Sequence, residues 1–512
     1  MKRAFAIGLL SLPLTVPAPA ADRPAAEPPQ FLLYDGPSGV SRDHWNRGIA
    51  LRWQHPLGDW RDAAGEPQGA KPFATLAVKP ADATKRVEID VTALAREWTK
   101  SGNTGALLRA AGGSAEFASR EGDAAQRPLL IVTTDRGKFT CPPTADATLA
   151  SSTFKPLGEQ PTLVVTKPGT SAVLRFDLAA VDGTPTAATL ALTVNKAADP
   201  ASIDVMRLDA PAVGVIGKPI PGLAKDFPRD NGIVAHKDVI VATDFGDGWQ
   251  KYFGGTIRNP AFARDDALGS TYIRGQFTKG EVGSASLEYR FSSRKEPEPE
   301  EAYFRYYVYL EDDWGSLVDG NKMPGLAGRY GVWNGRLWNP TAGNGGARTT
   351  GLVTMTPRGE NRSGWSMRTT THAKPPDENP YREWTAVQTY AYHADQAGHF
   401  GDGWRWGGTL LAKNRWYCIE QYAKLNSIDG PLDDLGNGTG KKDGVFRAWV
   451  DGVPVLEKTN VRFRHNAKIK IDEVWLNWYH GGTKPAAAEH HYRMSNVVVA
   501  RSYIGPMAPQ EK

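Results

Sequence analysis

From Val239 to near the C-terminus the chain is a succession of short alternating segments rich in aromatic and β-branched residues. Ala302 to Leu310 is representative, and Ser286 to Phe291, Val387 to His393, Trp416 to Asn426, Gly444 to Gly452 and Lys468 to Tyr479 repeat the pattern. No long helical periodicity interrupts them. Side chains two apart share a face of a β-strand, so these segments read as strands with one buried side. Many such strands joined by Gly-rich turns close into two packed sheets. The expectation is an all-β protein whose C-terminal half is a β-jelly roll, with one sheet able to hold an extended polymer. Asp451-Gly452, placed before Pro454-Val455, marks a hairpin turn.

At 512 residues the chain exceeds one ordinary core. Lys2 and Arg3 precede an apolar run from Ala4 to Val16, followed by Ala18-Pro19-Ala20. This reads as a secretory signal peptide over residues 1–20, too short and too Pro-interrupted to span a bilayer. A secreted or periplasmic protein without a membrane span is expected, acting as a monomer. Residues 22–30 form an Ala/Pro-rich spacer, and 31–137 alternates short strands with one amphipathic turn. There Asp90 is placed to cap a helix with Val91, Leu94 and Trp98 on one face. A second strand-rich block covers 138–212, a Pro/Gly-punctuated linker 213–238, and the jelly roll 239–505. The two cysteines, Cys141 and Cys418, make no framework, and their spacing leaves open whether they pair. A net charge of +5, mixed along the chain, does not call for nucleic acid and suits an anionic polymer.

The block 31–137 resembles disaggregatase-related carbohydrate-binding β-sandwich modules. The resemblance rests on Asp90-Val91-Thr92, Trp98, Phe117-Ala118-Ser119-Arg120-Glu121 and Arg127-Pro128-Leu129-Leu130-Ile131-Val132. Block 138–212 resembles the opening half of the same module. The two blocks either pair into one sandwich or are two divergent copies, so one or two carbohydrate-binding-like modules precede the jelly roll.

Chemistry concentrates between Asn321 and His393. Lys322 lies in Asn-Lys-Met-Pro-Gly-Leu, followed by Ser366-Met367-Arg368 and Tyr390-Ala391-Tyr392. On strands, the serine and arginine share a face, as do the two tyrosines, with the lysine loop nearby. Cations beside phenols suit an acidic sugar whose carbon-bound proton must be removed. Arg368 and Lys322 would neutralise the carboxylate, while one tyrosine takes the proton and the other orients or donates. Gln388 has the parity of Tyr390 and Tyr392. His393 has the opposite parity and reaches substrate only where the strand ends or bulges. Ser366, Gln388, His393 and Trp338, the last in a Gly/Trp/Asn-rich insertion over 333–351, are the expected substrate-binding residues. A second insertion spans 370–383.

These motifs resemble polysaccharide lyase family 14, which includes alginate and related uronan lyases. Its Lys-x-Pro-Gly-Leu, Ser-x-Arg and Tyr-x-Tyr motifs match Lys322 to Leu326, Ser366 to Arg368 and Tyr390 to Tyr392. The resemblance covers roughly Val239 to Ile504. It implies a jelly-roll lyase that cuts a uronate polysaccharide such as alginate or glucuronan by β-elimination, with those residues in the groove. Three further expectations accompany it. No metal, redox or organic cofactor is needed, although the loop Asp433 to Gly438 could hold a structural calcium. His480, His490 and His491 read as surface histidines rather than metal ligands. The alternatives are a glycan-binding or adhesion protein without catalysis, and a jelly-roll glycoside hydrolase drawing carboxylates from Glu311, Asp312 and Asp313.

Overall fold

A computed structural model describes residues 31–213, 217–315, 321–333, 336–338, 360–371, 378–396, 400–434, 436–480 and 485–508. The expected signal peptide lies outside them. The described chain is nearly all β, and none of its helices is long and apolar enough to cross a membrane.

Between Trp60 and Leu208, twelve strands join one hydrogen-bonded network. Strands of the two sequence blocks interleave: Thr170–Phe176 pairs with Ala106–Gly112, and Pro185–Lys196 pairs with Arg86–Asp90 and Leu129–Thr134. Among the described residues the one α-helix is Thr92–Ser101, with Val91, Leu94 and Trp98 all buried as its periodicity requires. Val91 occupies the cap position. Asp90 stands one residue earlier, and its carboxylate accepts the Thr92 N–H at 2.8 Å. Cys141 and Cys418 are both buried and unbridged.

From Val239 to Ala500 two antiparallel eight-stranded sheets face each other in a jelly-roll sandwich. Their inner faces enclose a core that includes Trp365, Trp406, Trp478, Tyr306 and Phe446. Asp451 and Gly452 join two of the strands with φ of 50° and 79°, the left-handed pair that a tight hairpin requires.

One sequence expectation needs correction. His480, His490 and His491 are 1%, 1% and 8% exposed, so they are core and not surface groups. The His490 ring stacks on Phe277 at 4.6 Å, and burial pushes its imidazole down to about 4. Glu311 and Asp313, carboxylates of the hydrolase alternative, are both engaged in ion pairs. Glu311 is held by Arg274 and Arg493, both at 2.8 Å, and Asp313 accepts from His491 at 2.6 Å.

The junction of the jelly roll with residues 228–235 rests on Arg305, which is fully buried. Its guanidinium meets both carboxylate oxygens of Asp230 and the carbonyls of Asn496 and Gly505. Removing Asp230 strands that charge in a dry site. Asp230→Ala should lower unfolding free energy by about 3–5 kcal/mol in urea titration; a loss under about 1 kcal/mol would show the pair to be structurally idle.

Candidate active site

Five neighbouring strands of the front sheet carry the candidate residues: Glu473–His480, Asn321–Trp333, Glu360–Thr371, Trp384–Tyr392 and Asp402–Ala412, in that spatial order. Met367, Trp365, Val387, Ala391, Leu476 and Trp478 point into the core. By alternation Ser366, Arg368, Gln388, Tyr390, Tyr392, Trp475, Asn477 and Tyr479 point outward.

Register then arranges them in rows across the sheet. Arg368 lies opposite Tyr390 on one side and Gly325 on the other, and Gly325 lies opposite Trp475. One rung away, Ser366 faces Tyr392. On the other side a longer row runs Tyr479, Lys322, Thr370, Gln388, Arg405.

Lys322 is not in a loop, as the sequence suggested, but within a strand. Its register shifts between Lys322 and Gly325. Pro324 cannot donate to the ladder, so the strand bulges there and still delivers the lysine to the outer face. A Cβ on Gly325 would sit 2.0 Å from the Met367 carbonyl, which explains the glycine.

The two phenols form one unit. Tyr390 and Tyr392 hydroxyls are 3.3 Å apart, and the Gly401 N–H donates to the Tyr390 oxygen at 3.0 Å. Lys322 Nζ stands 4.6 Å from the Tyr390 ring centroid and 5.4 Å from that of Tyr479. Tyr392 is 6% exposed. Burial, and then its bond to Tyr390, holds its hydroxyl above the ordinary tyrosine range, with Arg368 pulling the other way.

Arg368 is the electrostatic centre of the site. Although it faces away from the core it is 3% exposed. Its guanidinium lies 4.3 Å from the Trp475 ring, donates to the Asn477 side-chain and backbone oxygens, and leaves its Nε buried without a partner. Among the described residues no carboxylate pairs with it. Glu473 is engaged instead by Arg329 and Arg290. Burial first, and the nearby Arg329 next, push the guanidinium down to about 9, so it remains charged at neutral pH. A buried cation without a counter-ion, offering an unused donor, is built for an anion.

Gln388 is half-buried in the long row, beside Gly403. His393 follows the end of its strand, is buried, and has its Nε2 bonded to Asp402 at 2.7 Å, with Trp404 against its ring. Trp338 is opposite Gly331 on the strand Arg336–Trp338, and its side chain lies outside the described residues. The loop suggested for calcium is closed by its own bonds, Asp433 accepting from the Asn437 backbone and side chain. Trp475, Asn477 and Tyr479 belong to the site yet escaped the sequence reading. Their alternation within Lys468 to Tyr479 was the available signal.

No protein-family model matches the chain, nor does any curated protein sequence. Three solved structures give the following likenesses. An alginate lyase from Chlorella virus is 15% identical, with a TM-score of 0.37, over 51% of this chain and 99% of that one. A marine family 14 alginate lyase from Aplysia kurodai is 16% identical, with a TM-score of 0.31, over 56% and 99%. An endo-β-1,4-glucuronan lyase from the fungus Trichoderma reesei is 14% identical, with a TM-score of 0.30, over 51% and 95%. Likeness this distant assigns the chain to none of them.

Because Arg368 is buried uncompensated, its charge opposes folding. Replacing such a charge by a neutral group of similar shape is neutral or stabilising. Arg368→Gln should therefore leave the melting temperature unchanged or raised in calorimetry; a fall of several degrees would mean that the arginine holds the fold rather than a ligand.

Proposed function

We propose that this face is the active site of a lyase that cuts a uronate-containing polysaccharide by β-elimination. The single observation that carries the reading is Arg368, a buried guanidinium with no carboxylate partner among the described residues, set opposite Tyr390 of a hydroxyl pair. A sugar carboxylate seated on Arg368 supplies the missing counter-ion. Withdrawal of its charge into that contact makes the C5 proton acidic.

The proton must then leave. The Tyr390 oxygen accepts the Gly401 N–H and lies beside Lys322 and Tyr392, so as the phenolate it takes the C5 proton and becomes the phenol. Tyr392 keeps its own proton by burial and takes the donor role toward the departing oxygen at C4. The C5–H electron pair becomes the C4–C5 double bond, the C4–O4 bond breaks, and O4 leaves with the donated proton. Each cut yields one unsaturated uronate end and one hydroxyl end, without added water or oxidant. Ser366, Gln388 and Asn477 line the same face and suit sugar hydroxyls. Together with the leader read from the sequence, the reading is of an exported enzyme acting on an acidic polymer outside the cytoplasm.

Alginate and glucuronan incubated with the protein should gain ultraviolet absorbance from unsaturated ends. Tyr390→Phe, Tyr392→Phe and Lys322→Ala should each lower kcat by about 10²–10⁴-fold with the fold intact by circular dichroism. Polymer binding with no unsaturated product would leave a glycan-binding protein, and saturated products would indicate hydrolysis.

A further inference from the structure

The outer face of the tyrosine strand is covered at one end. Trp384 and Ala386 share the parity of Gln388, Tyr390 and Tyr392. They pack not into the jelly-roll core but into a cluster with Phe31, Trp45, Leu51 and Trp53. Asn379 bonds Asn46 and Ser38, and the Tyr381 hydroxyl accepts the Leu32 N–H at 2.7 Å. The N-terminal segment therefore lies on the same face as the candidate site and stops one rung short of Gln388.

At that boundary stand two arginines. Arg405 ends the row Lys322, Thr370, Gln388, about 14 Å from Lys322 by three strand spacings. Arg52 lies on the small ribbon made by His44–Asn46 and Leu51–Arg52, where it faces His44 across the pair while the adjacent Leu51 packs into the junction. Neither guanidinium makes an ion pair or hydrogen bond among the described residues. Asp43, the acid that acts on Arg52, is chelated by Arg42 through contacts of 2.9 Å at Nε and NH2.

We propose that Arg52 and Arg405 form a second carboxylate-binding subsite of the same cleft, one charge from each half of the molecule. It rests on the reading that this face takes an acidic polysaccharide, and it extends that reading to a polymer whose carboxylates recur along the chain. One sugar acid is held at Arg368 and another, further along, at the junction. The N-terminal segment is then a wall of the cleft rather than a remote binding module. The two cations feel one another: burial and then Arg405 push Arg52 down, and burial with Arg52 and Arg405 among its neighbours pushes His44 down to about 3. His44 is thus neutral, and the surplus positive charge belongs to the arginines.

The test is titration calorimetry of long glucuronan and alginate chains against the wild type, Arg405→Gln and Arg52→Gln, with KM and kcat measured on the same chains. Arg405 is exposed, so its substitution does not endanger the fold. Each variant should bind polymer about tenfold more weakly and raise KM similarly, with kcat retained and Arg405→Lys partly restoring affinity. A short oligouronate confined to the tyrosine end should bind all three alike. Equal polymer affinity in wild type and both variants would overturn the subsite while sparing the cleft. A wild type that binds no uronan would overturn the cleft reading and the subsite with it.

Discussion

Register between the strands Glu360–Thr371 and Trp384–Tyr392 is the constraint on which the site depends. It sets Arg368 against Tyr390 and Ser366 against Tyr392, with Met367 and Ala391 between them in the core. Side-chain direction alternates strictly, so a slip of one residue would exchange the two sets. The cost of turning Arg368 inward and Met367 outward is what fixes the pairing. Folding and site assembly are therefore one event here, because the hydrophobic side of each strand aims its polar side.

The burial of Arg368 follows from the same arrangement. Outward-facing groups on a flat sheet would be wet, yet Arg368, Ser366 and Trp475 are 3%, 2% and 5% exposed. Low dielectric surroundings make an unpaired charge costly and an incoming carboxylate correspondingly valuable. Neighbouring arginines differ in this respect: Arg329 and Arg290 are each matched by acids. A matched charge network and an uncompensated charge thus sit side by side on one sheet, and the proposed function places the substrate carboxylate only at the second.

Much of this was legible in the sequence because it is local. Period-two alternation located the strands, Asp451-Gly452 located a hairpin, and parity alone placed Gln388 with the tyrosines. Pro324-Gly325 misled, since a Pro-Gly step more often marks a turn than a bulge within a strand. The histidines at 480, 490 and 491 were misjudged because their partners Phe277, Trp314 and Asp313 are distant in sequence. The packing of Phe31, Trp45 and Trp53 over Trp384 was invisible for the same reason. Nothing in a strand's own pattern says which outward side chains another segment will cover.

In the proposed function, bonds are broken by elimination beneath Arg368 and the phenol pair, not by water. Digestion of a uronan in water enriched in heavy oxygen, followed by mass spectrometry of the fragments, tests it most directly. Elimination predicts fragments that carry no heavy oxygen, one of each pair lighter than its hydrolytic counterpart by a water. Incorporation of one heavy oxygen per cut bond would contradict the account.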